Sequence, residues 1–234
     1  MTAVEDRARE VTHVDGTEEG VQLDFQSLPD AVTEHLRRSI VNGLFEAGRR
    51  LPETEIAQMF DVSRATIRQA LQRLEAERLV EVRPRRGAFV MRLSSQEAAD
   101  LCEARGLLEC HAAAAAVQAL SEADLAEMRR LAREMAGALE RGDVARLVEL
   151  DLTFHRAIAA CTPNRRVFDL WQELDPQLGA LMRRGVELRG MTPRQVVARH
   201  LEVVEALAGR DPDEVQRVLS RHYVNPWPVE EAEA

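Results

Sequence analysis

Apolar residues recur at helical spacing through most of the chain, and the clearest instance is the stretch Asp61–Glu75. One face of this stretch is apolar and consists of Ile67, Ala70, Leu71 and Leu74. Arg64, Arg68 and Gln72 fall four residues apart and share a polar flank of the same helix. Ser63 stands just before the first helical residues, where its hydroxyl can accept hydrogen bonds from free backbone N–H groups. The pattern predicts a short helix with one buried face and arginines near its N-terminal end.

Two more helices and a hairpin are predicted around this helix. Apolar residues repeat every four positions after Asp30, a candidate N-cap, as far as Gly43. This repeat predicts a first helix. A second helix is predicted for Glu53–Phe60, after the short extended piece Arg50–Pro52. Beyond the third helix we expect a strand, a turn and a returning strand: Leu79–Arg83, Pro84–Gly87 and Ala88–Met91. Three helices and a two-stranded wing make a winged helix-turn-helix domain, which we assign to residues 23–93.

A second, wholly helical domain is predicted for residues 94–223, so the expected fold class is mainly α. Ser94 and Glu97 have the spacing of a capping box, which opens the first helix of this domain. About six helices are expected: 94–119, 122–141, 143–161, 164–187, 193–209 and 212–223. Residues 1–22 are polar and acidic and are expected to form a disordered leader. Residues 224–234 are expected to form a tail on the surface.

The charge along the chain is uneven. The chain has 31 basic residues, all of them arginine, and 40 acidic ones, which gives a net charge of −9. The segment Val62–Arg92 nevertheless holds eight arginines against three acidic residues. Because the Debye length at physiological salt is only about 8 Å, phosphate binding depends on this local charge. An acidic protein can therefore still carry a basic, DNA-binding face.

The remaining composition indicates a cytoplasmic protein with no membrane partner. Cys102, Cys110 and Cys161 contain no C-x-x-C pair, so we expect buried, reduced thiols. The polar, acidic N-terminus does not resemble a signal peptide. No apolar run reaches the length of a membrane span.

The arginines of the third helix and the wing have side chains suited to double-stranded DNA. Arg64 and Arg68 can contact phosphate or present a bidentate fork to guanine, and Thr66 can bond a phosphate or touch a thymine methyl. The wing tip adds two cations and a sharp reversal: Arg85, Arg86 and Gly87. The alternative is a solvated basic helix on an ordinary helical protein. The order of two helices, turn, arginine helix and hairpin favours DNA binding.

A second group of polar residues falls on apolar helix faces in the helical domain. Asp151 and His155 lie four residues apart on an otherwise apolar face, and His200 and His222 each interrupt a stripe of valine and leucine. Each could be an ordinary core residue with a hydrogen-bond partner. Together, three imidazoles and a carboxylate could instead bind one divalent metal ion, such as Zn²⁺, Ni²⁺ or Mn²⁺. The spacing alone leaves both interpretations open.

A third feature suggests a ligand pocket. Arg105 falls in line with apolar residues, and a buried guanidinium group needs an anion. Glu109, one helical turn on, could supply that anion through an i,i+4 ion pair. Alternatively, a carboxylate ligand could lie between Arg105 and the metal. Asn164 follows Pro163 at a helix start, where it can act as an N-cap or donate a hydrogen bond to the same pocket.

These segments resemble two parts of a known family. The first domain resembles the GntR-type bacterial transcription regulators, through Leu51–Ala57, Val62–Leu71 and Arg86-Gly87. The second resembles the all-helical FCD effector domain of their FadR-like branch, through Arg105-x-x-Leu-Glu109, Asp151-x-x-Phe-His155, Asn164, His200 and His222. The resemblance covers about residues 28–223, nearly the whole chain between leader and tail.

The resemblance implies a homodimer that binds a palindromic operator. The set expected to contact DNA comprises Ser63, Arg64, Ala65, Thr66, Arg68 and the wing-tip residues. The resemblance also implies a divalent ion held by one aspartate and three histidines: Asp151, His155, His200 and His222. A small organic acid beside the ion would contact Arg105, Glu109 and Asn164 and change the DNA affinity. Thr54 and Ala65 differ from the residues usual in relatives, so no operator sequence is implied.

We expect a metabolite-responsive transcription regulator that acts as a repressor. A rival hypothesis is a metal-dependent hydrolase or lyase fused to a DNA-binding domain, because the metal site would keep open coordination positions. The lack of a His-Glu-x-x-His motif and of an obvious general base argues against this rival. A third possibility is that the metal is purely structural, or is itself the signal.

Overall fold

The computed structural model describes residues 27–189 and 192–223. Within these residues, ten helices and three short strands follow one another. In chain order they are α1 (Leu28–Val41), β1 (Arg50–Leu51), α2 (Glu53–Phe60), α3 (Arg64–Ala76), β2 (Val80–Arg83), β3 (Gly87–Val90), α4 (Ser95–Ala116), α5 (Glu122–Glu140), α6 (Val144–Ala159), α7 (Arg165–Gln172), α8 (Asp175–Arg189), α9 (Pro193–Ala208) and α10 (Pro212–Tyr223). The predicted leader and tail lie outside the described residues. None of the helices in the described ranges combines the length and the apolarity needed to cross a membrane.

Helices α1, α2 and α3 enclose a small core of their own, together with the wing. The predicted inner face of α3 is buried at all four positions: Ile67, Ala70, Leu71 and Leu74. The turn between α2 and α3 is tight, because Asp61 has a left-handed φ of 50° and the Val62 N–H donates to the Ala57 carbonyl. This packing leaves the other face of α3, with its arginines, towards solvent.

The caps of α1 and α3 determine where these helices begin. Ser63 caps α3 as predicted, and its hydroxyl accepts a hydrogen bond from the Thr66 N–H. Helix α1 begins earlier than predicted, because Ser27 is its N-cap and Asp30 completes a capping box from within the first turn. The prediction that Asp30 is the N-cap is therefore wrong. A serine three residues before an acidic residue, with Pro29 between them, is the better start signal.

The wing has one strand more than predicted. Strands β2 and β3 form the expected antiparallel hairpin, in which Arg83 lies opposite Gly87. Strand β1 pairs with the other edge of β3, where Arg50 lies opposite Phe89, so the sheet order is β1-β3-β2. A strand of two residues is too short to show any alternation, which is why the sequence predicts only an extended piece there.

The helical part contains seven helices in the described residues, where six were predicted. The segment predicted as one helix over residues 164–187 is divided at Glu173 and Leu174 into α7 and α8. Pro176 explains the break, because it has no N–H to donate and its ring clashes with the carbonyl of Gln172, four residues earlier. A continuous helix therefore cannot pass through this position.

The larger core cluster lies inside a bundle in which α5 packs against α6 and α9, and α4 packs against α10. Helix α8 lies between this bundle and the N-terminal part. Leu178 and Met182 of α8 are buried in a cluster on which Val41 of α1 also packs, and Ala180 packs on the N-terminal core. Gly179 permits the close approach, since a Cβ there would lie 3.0 Å from Val41 Cγ1. Helix α8 thus contacts both parts of the molecule.

Candidate nucleic-acid interface and candidate metal centre

The N-terminal end of α3 presents the predicted DNA-contacting residues to solvent. The side chains of Arg64 and Arg68 are 62% and 59% exposed, and both lie next to Glu53 of α2. Ser63 and Ala65 are also exposed, and Thr66 is half-buried with its hydroxyl 2.9 Å from the Ser63 hydroxyl. Arginine forks at the first turn of an exposed helix can reach base edges in the major groove.

The wing tip forms a second exposed basic element. Arg85 and Arg86 are exposed, and neither makes an ion pair with an acidic residue in the described part of the chain. Arg85 has a left-handed φ of 63° and Gly87 a φ of 95°. The left-handed backbone at Arg85 is uncommon for a residue with a Cβ. The tip is suited to contact with phosphate or the minor groove.

Three of the four predicted metal ligands meet in the interior of the helical bundle. Potential ligand atoms of His155 on α6, His200 on α9 and His222 on α10 all lie within 4.8 Å of one another. Asp151, one turn before His155, joins two of these rings. Its Oδ1 lies 2.9 Å from His200 Nε2, and its Oδ2 lies 3.6 Å from His155 Nε2. The structure thus brings all four predicted residues into one cluster.

The outer nitrogens of two rings are held by hydrogen-bond acceptors. His155 Nδ1 lies 2.6 Å from Glu109 Oε1, and His200 Nδ1 lies 2.8 Å from the Val196 carbonyl oxygen. Both rings therefore face acceptors on both sides, although a neutral imidazole has only one N–H. With the outer nitrogens donating, each Nε2 lone pair faces a carboxylate oxygen, and a proton or a metal cation must lie between them. Carboxylate and carbonyl groups commonly orient histidine ligands in this way.

The electrostatics of the cluster favour a cation. Burial lowers the pKa of His155, but the Glu109 and Asp151 carboxylates raise it by more, so that the net shift is upward. Burial raises the pKa of Asp151, but His155 and His200 lower it by more, so that the carboxyl stays ionised. Burial, with the neighbouring His200, His155 and Arg199, lowers the pKa of His222 well below its usual value. A neutral His222 and an ionised Asp151 complete a donor set that fits Zn²⁺ and similar ions.

A small cavity opens beside the cluster. Its volume is about 40 Å³, and its wall includes Asp151 and the three histidines. Helix α8 supplies part of the apolar lining, through Leu178, Met182 and Val186. Since one water needs about 10–15 Å³ of such space, the cavity has room for an ion and a few waters.

Comparison with known proteins identifies both parts of the chain. The model of the "Bacterial regulatory proteins, gntR family" matches residues 28–90, and the model of the FCD domain matches residues 100–225. The chain belongs to the GntR family. The regulator is 28% identical over 188 residues to the HTH-type transcriptional repressor RspR of Escherichia coli K12, covering 80% of this chain and 82% of RspR.

Two further comparisons agree with this assignment of the GntR regulator. It is 28% identical over 158 residues to the gluconate operon transcriptional repressor of Bacillus subtilis, covering 68% of this chain and 65% of that protein. A crystal structure of a GntR transcriptional regulator from Rhodococcus sp. RHA1 superposes with a TM-score of 0.72 and 26% identity, covering 85% of this chain and 94% of that one. Family membership makes the protein a transcription regulator and not an enzyme, so the rival hydrolase or lyase hypothesis is wrong.

In this GntR regulator Arg105 is buried as predicted, but its partner is not Glu109. Its side chain is fully buried, its Nη1 pairs with Asp175 Oδ1, and its Cζ lies 3.7 Å above the Trp171 ring. The predicted alternative, an i,i+4 ion pair between Arg105 and Glu109, is wrong, because the Glu109 carboxylate accepts hydrogen bonds from other side chains. Arg105 Nε and Nη2 have no hydrogen-bond partner among the described residues. Arg105 does not form part of the cavity wall.

Glu109 and Asn164 have different surroundings from those expected of effector contacts. Glu109 is buried and accepts hydrogen bonds from Trp171 Nε1 at 3.0 Å and the Tyr223 hydroxyl at 2.7 Å, besides its contact with His155. Asn164 is exposed and caps α7, where its Oδ1 lies within 3.1 Å of the Arg166 backbone nitrogen. Asn164 is not among the residues that line the cavity, so the structure does not bring it there.

Sequence reasoning missed four residues of these sites: Glu53, Trp171, Asp175 and Tyr223. Trp171 was one of only two tryptophans in a chain with 4% aromatic residues, and it signalled a packed site within the helical domain. Tyr223 directly follows His222, so its place on α10 could have been noted. Nothing in the local pattern connects Asp175 with Arg105 or Glu53 with Arg68, because these pairs meet only when different helices pack.

Proposed function

We propose that this GntR-family protein is a metal-containing, metabolite-responsive repressor that binds a palindromic operator as a homodimer. One observation carries the proposal. Helix α8 supplies part of the apolar lining of the cavity beside the histidine cluster and also packs on α1 of the DNA-binding part. A change in the cavity can therefore reach the DNA-binding helices through direct contacts.

DNA recognition is assigned to α3 and the wing. Arg64 and Arg68 contact the major groove with Ser63, Ala65 and Thr66 around them, and the wing tip contacts the backbone or minor groove. The exposure of these side chains and the order of the elements support this assignment. In a homodimer the two α3 helices would read half-sites about one turn of DNA apart. Repression is supported by the names of relatives, which include two repressors.

The metal would be held by Asp151, His155, His200 and His222. The acceptors behind His155 and His200 support this, since they leave both Nε2 atoms facing the common centre. When bound, a divalent ion would offer open coordination positions to water or to the oxygen of a carboxylate ligand. Zn²⁺, Ni²⁺ and Mn²⁺ all suit these donors.

The effector is proposed to be a small organic acid that enters by displacing side chains of α8. The cavity of about 40 Å³ holds only a few waters, so an acid larger than these waters would require Leu178 or Met182 to move when it binds. Arg105, whose Nε and Nη2 lack hydrogen-bond partners among the described residues, is the nearby cation that an acid could engage once the cavity opens. Burial of an incompletely paired guanidinium is costly, and an anion would relieve that cost.

Helix α8 would couple effector binding to DNA binding, because it contacts both the cavity and the DNA-binding part. A shift of α8 alters its contact with α1 at Val41 and Gly179, and so the orientation of the winged domain. A coupling free energy of about 1–3 kcal/mol, or about 5–150-fold in DNA affinity, is typical of such switches.

The proposal can be tested with metal analysis and DNA binding. Protein purified without chelator should contain about one divalent ion per chain, and His200→Ala should abolish it. Binding to a duplex selected by the wild-type protein is then measured by fluorescence anisotropy, with and without metal and with a panel of small organic acids. If metal never binds, the ligand assignment is wrong; if metal alone changes DNA affinity and no acid does, the metal is the signal.

A further inference from the structure

Glu53, the first residue of α2, lies between the two arginines at the start of α3. Its Oε1 accepts a hydrogen bond from Arg68 Nε at 3.3 Å, and its Oε2 accepts one from Arg68 Nη2 at 2.9 Å. The same Oε2 lies 3.5 Å from Arg64 Nη2. One carboxylate therefore holds both guanidinium groups.

The geometry of the Arg68 contact leaves a defined part of the guanidinium group available. A guanidinium group has five N–H donors in a fixed fork. Glu53 occupies the side edge, formed by Nε and Nη2. The end edge, formed by Nη1 and the second hydrogen of Nη2, makes no hydrogen bond to any residue that the structure describes. That edge is the one that can bond guanine O6 and N7 in the bidentate manner.

The exposure of the three side chains is consistent with Glu53 holding the two arginines from the protein side. The Glu53 side chain is 28% exposed, while Arg68 and Arg64 are 59% and 62% exposed, so the carboxylate lies below the two forks. The hydrogen bond from Arg68 lowers the pKa of Glu53, although burial opposes it, so the carboxylate is charged at neutral pH. An exposed ion pair contributes little to folding stability. Its main consequence is the position of the arginines.

We propose that Glu53 is a specificity-determining residue of the DNA-reading surface, which positions Arg68, and Arg64 beside it, to read base edges instead of phosphates. This rests on the proposed function, since α3 has to enter the major groove. Without Glu53, both long side chains could turn to the nearest phosphate, which carries no sequence information. The negative charge of Glu53 also repels phosphates and so weakens binding to unrelated DNA.

The experiment compares selected and unrelated DNA. A duplex is selected from a randomised pool with the full-length wild-type protein, and a shuffled duplex of the same composition serves as unrelated DNA. Affinities for both duplexes are measured by fluorescence anisotropy at fixed salt for wild type, Glu53→Gln, Glu55→Gln and Arg68→Ala. Glu55→Gln is the matched control, because Glu55 is an exposed acid in the same first turn of α2 and makes the same charge change.

Glu53→Gln should bind shuffled DNA more tightly and selected DNA no more tightly, so that the ratio of the two affinities falls about tenfold, as expected for a lost bidentate base contact. Glu55→Gln should leave this ratio within about twofold, since charge alone acts on both duplexes. The inference is overturned if the two glutamine variants have the same ratio. If that happens while Arg68→Ala lowers the ratio, the proposed function stands. If Arg68→Ala also keeps the wild-type ratio, or the wild type selects no sequence, the proposed reading role of α3 fails as well.

Discussion

At the scale of single residues, Glu109 holds the histidine cluster in place without belonging to it. Its carboxylate contacts His155, Trp171 and Tyr223, which come from three different helices. A single side chain thereby fixes the ring of a proposed metal ligand and the last residue of α10. Groups that orient ligands in this way commonly contribute 10–100-fold to metal affinity.

Replacing Glu109 by glutamine should weaken metal binding about 10–100-fold. The amide has one acceptor oxygen in place of two, so at least one of the three donors loses its partner. Zn²⁺ affinity measured by competition with a chromogenic chelator tests this. Glu149→Gln, an exposed carboxylate on α6, is the control and should bind metal like the wild type. An unchanged affinity of Glu109→Gln would show that His155 is oriented by other contacts.

Cys102 should be almost inert in the folded protein. Burial raises the pKa of its thiol to about 11. Since only the thiolate reacts, about 0.1% of the thiol is reactive at pH 8, roughly a hundredfold less than for an unperturbed thiol. Iodoacetamide labelling followed by mass spectrometry should detect Cys102 only after unfolding in urea. Rapid labelling under native conditions would mean that α4 opens readily.

At the scale of elements, the close packing of α4 and α10 determines where His222 lies. Gly106 of α4 faces Tyr223, and a Cβ at this position would lie 3.1 Å from Tyr223 Cβ and Cγ. Tyr223 follows His222 directly, so any shift of the tyrosine moves the histidine. Gly106, which has no side chain to contact a ligand, therefore controls the geometry of the cluster.

Gly106→Ala should lower both stability and metal affinity. Overpacking costs about 1–3 kcal/mol, of which the better helix propensity of alanine returns at most about 1 kcal/mol. Urea unfolding and Zn²⁺ competition measure the two effects. Gly137→Ala is the matched control, because its new Cβ meets only the flexible end of Arg141. That variant should be as stable as the wild type or up to about 1 kcal/mol more stable, with unchanged metal binding.

At the scale of the whole molecule, the contact of α8 with α1 is the route by which the two parts can influence each other. Gly179 is central to it, since a Cβ there would meet Val41 of α1 at 3.0 Å and Leu152 of α6 at 3.2 Å. The three helices meet at a point that has no space for a larger residue. Interdomain coupling of the proposed kind depends on this packing.

Gly179→Val should weaken the coupling between the two parts. In the wild type, adding Zn²⁺ should slow amide hydrogen exchange in α6, α9 and α10 and also in α1. In the variant the protection should remain in the bundle and disappear from α1, because α8 is pushed away from Val41. Hydrogen exchange with mass spectrometry measures both regions in one experiment. Equal protection of α1 in both proteins would rule out α8 as the route.

The sequence by itself determined the elements and the faces on which the chemistry lies. The α3 face, the Ser63 cap and the inward positions of Asp151 and the histidines depend on residues within four positions of one another, so periodicity and capping reveal them. The same local signals misplaced the α1 cap, because both Ser27 and Asp30 are residue types that cap helices. They also missed the break at Pro176, because the helical periodicity of residues 164–187 hid it.

Only the tertiary structure decided which side chains meet. Arg105 pairs with Asp175, 70 positions away, and Tyr223 bonds Glu109, 114 positions away. Strand β1 exists only because β3 offers it an edge, and Glu53 reaches Arg68 only across the turn between α2 and α3. Such contacts depend on how helices and strands pack, and the spacing of residues along the sequence does not reveal that packing. The small volume of the cavity and the place of α8 between the two parts have the same origin.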